Sequence, residues 1–345
     1  MVTPQAPQLP DLPDIQFRAV ELTGAWTDAF NTASENLTTL LNNFNLAPGV
    51  ATQQFLANQA SFIQQMLADP SNNNAVAQQI QSNLDAMVTG YAMQGADADT
   101  TTIVQQHTLD GGSSLGNGHQ TLFSEIPGYL PADQASTITP IINFLDSPLS
   151  GIIMGSLGPF IAPWAALINS ISDGDSFSDT LANMFGAFFN GADLNLDSLV
   201  PTINGLGLFP AGMHVNDLDI GFGGLFSTGS VSVGPYQVLD SAGNIVDSVP
   251  AVGGSIFNSV GLNITGVPVI SSIDAPSQAI GPIAAWEAWG QTLGALLGSG
   301  WSGNGPIEVT APLGFDFPLI TDDGGVAASA MADLSTWWQD LTAAF

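Results

Sequence analysis

Glu287 is the side chain whose setting most suggests chemistry. It stands between Trp286 and Trp289 in a stretch from 283 to 297 that reads as an apolar helix. Burial among indoles and aliphatic groups disfavours a charged carboxylate and raises its pKa. Such an acid could keep its proton at neutral pH or line a pore; on the opposite reading it is a polar face turned to water. The other carboxylates fall in groups: Asp173 with Asp175 and Asp179, Asp193 with Asp197, Asp217 with Asp219, Asp322 with Asp323. A hard cation such as Ca2+ takes about six to eight oxygen ligands, and none of these runs has the spacing of a calcium loop. Asp173-Gly174-Asp175 is a weak Ca2+ candidate, set against an ordinary solvated turn. His107, His119 and His214 are the only histidines. The first two flank a Gly/Ser-rich stretch, which allows either a two-histidine metal site or two solvated loop side chains. Their spacing matches no zinc pattern. With no cysteine in the chain, thiolate sites and disulfides are excluded.

A hydrolase constellation is missing. No Gly-x-Ser-x-Gly elbow with strand-turn-helix context appears, and Gly111-Gly112-Ser113-Ser114 reads as loop. Glutamate is scarce, so no carboxylate pair of glycosidase type stands out. The chain is read as a non-enzyme, with no catalytic residue and no cofactor.

Composition narrows the partners. The 345 residues include one basic side chain, Arg18, against 30 acidic ones, for a formal charge of −29. Only 9% of residues are charged while 45% are hydrophobic, which is far too apolar for an acidic disordered chain. Nucleic acid is excluded, because phosphate binding needs lysine or arginine to displace counterions. An anionic lipid surface would repel the chain. Divalent cations, neutral lipids or glycolipids and uncharged solutes remain as partners. The opening Met1-Val2-Thr3-Pro4-Gln5-Ala6-Pro7 has neither the basic stretch nor the apolar run of a leader. On this composition it reads as the start of an exported chain after its signal peptide has been removed.

The elements that must position these residues follow from periodicity. Residues 1–20 are Pro-rich and extended. Residues 21–130 read as a helical domain with a loop: three helices between 25 and 94, the first marked by Trp26, Phe30, Leu37, Leu41 and Phe44, then a Gly-, Ser-, Asp- and Thr-rich loop over 95–130. Residues 131–192 form an apolar helical segment. It has no charge from Ser147 to Ser172, long enough to span a bilayer. Pro148, Gly158-Pro159 and Pro163 interrupt it, so a broken, buried hairpin stands beside one straight span, and Gly151 with Gly155 has the spacing of close helix contact. Residues 193–345 read as an α+β region. Alternating runs such as Val215-Asn216-Asp217-Leu218-Asp219-Ile220 predict short strands from about 193 to 274, followed by the Glu287 helix. A C-terminal amphipathic helix carries Trp337 and Trp338. The indole pairs at 286/289 and 337/338 are membrane-contact candidates, since indoles favour the water–lipid boundary. The fold class is mixed, mainly α with short β-strands, and three or four strands cannot close a barrel alone.

Several blocks carry a family resemblance. Asn183-Met184-Phe185-Gly186-Ala187-Phe188-Phe189-Asn190-Gly191-Ala192-Asp193-Leu194, Gly205-Leu206-Gly207-Leu208-Phe209-Pro210-Ala211-Gly212, Gly253-Gly254-Ser255-Ile256-Phe257-Asn258 and the opening Pro13-Asp14-Ile15-Gln16-Phe17-Arg18 resemble segments of mycobacterial GjpA-type outer-membrane porins, Gly/Ala-rich cell-envelope proteins. The resemblance covers most of the chain and carries over no individual functional residue. It implies export to the mycolic-acid outer membrane of an actinobacterium. It also implies a homo-oligomeric pore for small hydrophilic solutes or cations; acidic side chains lining such a pore would favour cations. The alternative is a secreted or wall-attached surface protein with a structural, adhesive or glycolipid-contact role.

Overall fold

The structure is a computed structural model that describes residues 24–298, apart from 47, 113–116, 131, 207–208, 240–241 and 243. The expected extended segment 1–20 and the C-terminal helix with Trp337 and Trp338 lie outside the described residues.

Three helices open the fold as the periodicity predicts: α1 (Gly24–Leu46), α2 (Val50–Ala68) and α3 (Asn73–Ala92). Gly49 starts α2 in the left-handed region, at φ 65°, where a Cβ would be strained. The loop expected over 95–130 is instead largely helical, with α4 (Ala98–Thr108) and α5 (His119–Tyr129). Asp97 caps α4 by accepting from the Thr100 amide at 2.7 Å. Val104 is buried with Met93 and Leu296, so a polar-looking segment is held by a narrow apolar stripe. Next come α6 (Ala135–Leu145), α7 (Pro148–Asp173) and α8 (Phe177–Asn190).

The break expected at Gly158-Pro159 does not form: the stretch is one continuous helix, and the chain turns back only at Gly174. Helix α7 runs unbroken through Pro159 and Pro163. Each proline deletes one backbone donor; packing outweighs that loss. Ser147 accepts from the Ser150 amide at the start of α7, and Gly174 ends it at φ 74°. Returning along α7, α8 packs Ala187 against Ala162 and Ala166.

Strand β1 (Ala192–Asn195) and the short α9 (Val200–Gly205) precede β2 (His214–Phe222), β3 (Tyr236–Leu239), β4 (Ile245–Val249), β5 (Val260–Val267) and β6 (Ser271–Ala275); α10 (Pro282–Leu296) follows. An open antiparallel sheet runs in the order β1-β2-β5-β6, and β3-β4 is a separate hairpin. Register shifts between Val215 and Asp217, where two polar residues follow each other, so the bulge keeps Val215 in the core and Asp217 out. Ser230-Val231-Ser232-Val233 joins neither sheet. Its alternation still sorts faces, since Val231 and Val233 are buried with Tyr236 and Ala251. The chain is thus mainly helical with a small antiparallel sheet in its C-terminal half, the mixed fold class that the sequence leads one to expect.

The core crosses the expected boundaries at 130 and 192. One cluster joins Leu40 of α1, Ile152 and Met154 of α7, Val252, Ile280 and Ala284 of α10. Three glycines make this possible. Gly151, Gly155 and Gly158 line one face of α7, and a Cβ on any of them would strike the backbone of Gly254, Gly281 or Gly223 respectively. The close contact suggested by Gly151 and Gly155 is therefore made with loop backbone and not with a second helix. Gly158→Val should destabilise the fold by about 3 kcal/mol or more, because the opposing atoms are backbone and cannot repack. Urea unfolding measures this; a loss under about 0.5 kcal/mol would contradict the contact.

Candidate functional site

Helix α10 carries the site. Pro282 sits in its first turn, after Gly281, whose carbonyl accepts from the Ala285 amide at 3.0 Å. Ala284, Ala285, Ala288 and Ala295 face the core. The opposite side, with Ile283, Trp286, Glu287 and Gly290, borders a cavity of about 690 Å3 closed by Phe44 of α1, Val50 and Ala51 of α2, and Leu225. The wall is overwhelmingly apolar. Gln291 is committed elsewhere: its Nε2 donates to Asn43 Oδ1 and its Oε1 accepts from the Tyr236 hydroxyl.

Glu287 is half-buried, and its Oε2 is shut off from solvent with no hydrogen-bond partner among the described residues. Burial pushes its pKa up to about 8, so at neutral pH the carboxyl is mostly protonated. The two flanking indoles part company. Trp286 is 58% exposed at the cavity mouth. Trp289 turns inward, its ring tilted against Tyr91 with centroids 5.0 Å apart, and packs beside Met93, Val104 and Leu296.

Asp173 and Asp175 are exposed at the turn between α7 and α8, where Asp175 accepts from Asn183. Among the described residues no three histidine, aspartate or glutamate side chains converge on a possible metal position. His214 is exposed at the start of β2, whereas His107 and His119 are not the solvated loop side chains of the alternative reading. His107 is buried on α4, and desolvation drives its pKa down to about 3. His119, at the start of α5, is buried too, and its Nε2 bonds the Val260 carbonyl at 2.8 Å.

One titratable group has no counterpart in the sequence reading. Asp146 is fully buried between α6 and α7, and desolvation lifts its pKa to about 8 against the hydrogen bonds from Thr108 and Gln105. Thr108 Oγ1 lies 3.0 Å from the Val104 carbonyl and 2.8 Å from Asp146 Oδ1. A hydroxyl has one proton, so a protonated Asp146 donating to Thr108, which donates to Val104, satisfies both links. The signal for it was its place as the acidic end of an uncharged run.

No family model, curated protein or solved structure matches this chain.

These groups set a pH dependence. Native Asp146 and Glu287 hold protons that the unfolded chain releases near pH 4, so their effect is a fall in stability as pH rises toward 8. His107 acts in reverse, but only below its unfolded value near 6.5. Between pH 6.5 and 8 stability should therefore fall, by about 1–2 kcal/mol from Asp146 alone. Asp146→Asn mimics the neutral acid and should flatten that part of the slope. Urea midpoints across the range test this; a rise in stability would contradict it.

Proposed function

We propose that the protein is an exported envelope protein that works at a lipid boundary, contacting neutral lipid or glycolipid through its helical surface. The observation that carries this reading is the outer face of α7. Ile153, Leu157, Phe160, Trp164, Ile168 and Ile171 recur at steps of three and four, hence on one side of the helix. Phe160 is 70% and Trp164 63% exposed. The opposite, glycine-lined side is held against backbone. A ridge this long, with no charge before Asp173, is unusual on a surface meant only for water. The charge of −29 directs it toward uncharged headgroups and away from anionic ones.

A pore-forming homo-oligomer is the second reading. It is favoured by the length of α7, 26 residues or about 39 Å, which is enough to cross a bilayer once neighbouring copies cover part of its surface. It would pass small hydrophilic solutes or cations.

Flotation with phosphatidylcholine vesicles separates these ideas from a water-only role. Binding should drop roughly tenfold or more in the double variant Phe160→Asp, Ile168→Asp, with the urea midpoint unchanged. Wild-type protein that stays at the bottom of the gradient would sink both readings. Binding without conductance steps in planar bilayers would leave the first reading and remove the second.

A further inference from the structure

We propose that the cavity between α1, α2 and α10 takes the hydrocarbon chain of a single-chain lipid, held by that chain and not by its head. The site is separate from the α7 face and does not depend on that face meeting lipid.

Phe44, Val50, Leu225, Ile283 and Trp286 give the cavity apolar walls. Of the polar side chains beside it, Gln291 is held by Asn43 and Tyr236, and Oε2 of Glu287 is closed to solvent. The walls therefore offer contact area more than hydrogen bonds. Phe44, Ile283 and Trp286 are each more than a third exposed, and they meet at this one hollow. Large apolar side chains exposed singly need no explanation, but grouped around a concavity they mark a binding site.

Gly290 adds an independent observation. It stands inside α10, where glycine is unfavourable. Gly294, one turn on, is explained by packing, since a Cβ there would press on Val50. A Cβ on Gly290 would meet nothing within 4 Å, although Gly290 lines the cavity. Packing does not require glycine at 290; what the missing side chain preserves is the hollow itself. At about 690 Å3 that hollow falls within the roughly 300–1,000 Å3 range of small-molecule sites. An apolar cavity of roughly 150 Å3 already holds benzene, so a chain of several methylenes has room. The formal charge of −29 turns away anionic heads and leaves an uncharged head in water at the cavity mouth.

The test is calorimetric titration of the full chain with hexyl, octyl and decyl glucoside, each below its micelle concentration. One molecule should bind per chain, with affinity rising about fourfold per methylene. Octyl tetraethylene glycol ether, with the same chain and a different uncharged head, should bind within about threefold of octyl glucoside. Gly290→Phe fills the hollow and should weaken octyl glucoside binding about tenfold or more, with the urea midpoint unchanged or raised. Trp286→Ala, which trims an exposed wall, should weaken it about fivefold or more. The double variant Phe160→Asp, Ile168→Asp should bind as the wild type does, so failure here and failure of the α7 reading are told apart. Affinity that follows the head and ignores chain length would overturn the proposal. So would undiminished binding by the folded Gly290→Phe or Trp286→Ala variant, or no saturable uptake of decyl glucoside by the wild type.

Discussion

The fold depends on the contact between three glycines of α7 and three stretches of backbone. Gly151, Gly155 and Gly158 let the helix sit directly on the chain at Gly254, Gly281 and Gly223. Close approach of this kind brings Cα–H groups against carbonyl oxygens and adds weak attraction to dense packing. Two consequences follow. Ile152 and Met154 reach the core beside the glycines, while Ile153, Leu157, Phe160, Trp164, Ile168 and Ile171 are left on the outer face. Gly281, which begins α10, is fixed against the middle of α7, and that sets where Trp286 and Glu287 project.

Almost no ionic attraction is available to help. Arg18, the single basic residue, precedes the described part of the chain, so internal polarity is met by neutral hydrogen bonds. Asn258 is representative: fully buried, it accepts from the Asp110 amide and donates to the Ser230 carbonyl. Ser150 ties the α6–α7 corner to Ile256, and Asn43 joins α1 to Pro250 and Gln291. In such an interior a carboxylate has no counter-ion, which is why burial leaves Asp146 and Glu287 protonated. The negative charge that remains is spread over turns and the outer face of the sheet, where Asp274 accepts from Asn263, which in turn accepts from Asn216.

Periodicity made the helices of Trp26–Phe44, Phe177–Phe189 and Ile283–Leu297 legible, because each has one apolar side and a clear stop. Alternation did the same for the strands, even at the bulge, where the polar pair Asn216-Asp217 breaks the pattern. Helix α4 escaped because a short element rich in Thr and Gln needs only Val104 and its Asp97 cap. The prolines kept a broken hairpin beside one straight helix for α7 because proline is a local signal, whereas the packing that overrides it comes from Gly223, Gly254 and Gly281, 65 to 126 residues away. Glu287 stood out through its indole neighbours. The cavity did not, since Phe44, Val50 and Leu225 are brought to it only by the tertiary fold.

What unites these features is a molecule with a neutral interior, a dispersed anionic charge and a helical face that water does not favour. The claim that α7 meets lipid can be read at one residue. Because the chain has no cysteine, Trp164→Cys can carry a single nitroxide label. With phosphatidylcholine vesicles, collisions with oxygen should rise and those with a water-soluble nickel complex should fall, as for a side chain entering the hydrocarbon boundary. Collision rates unchanged from those in buffer, with the protein bound to vesicles, would contradict this account of the α7 face.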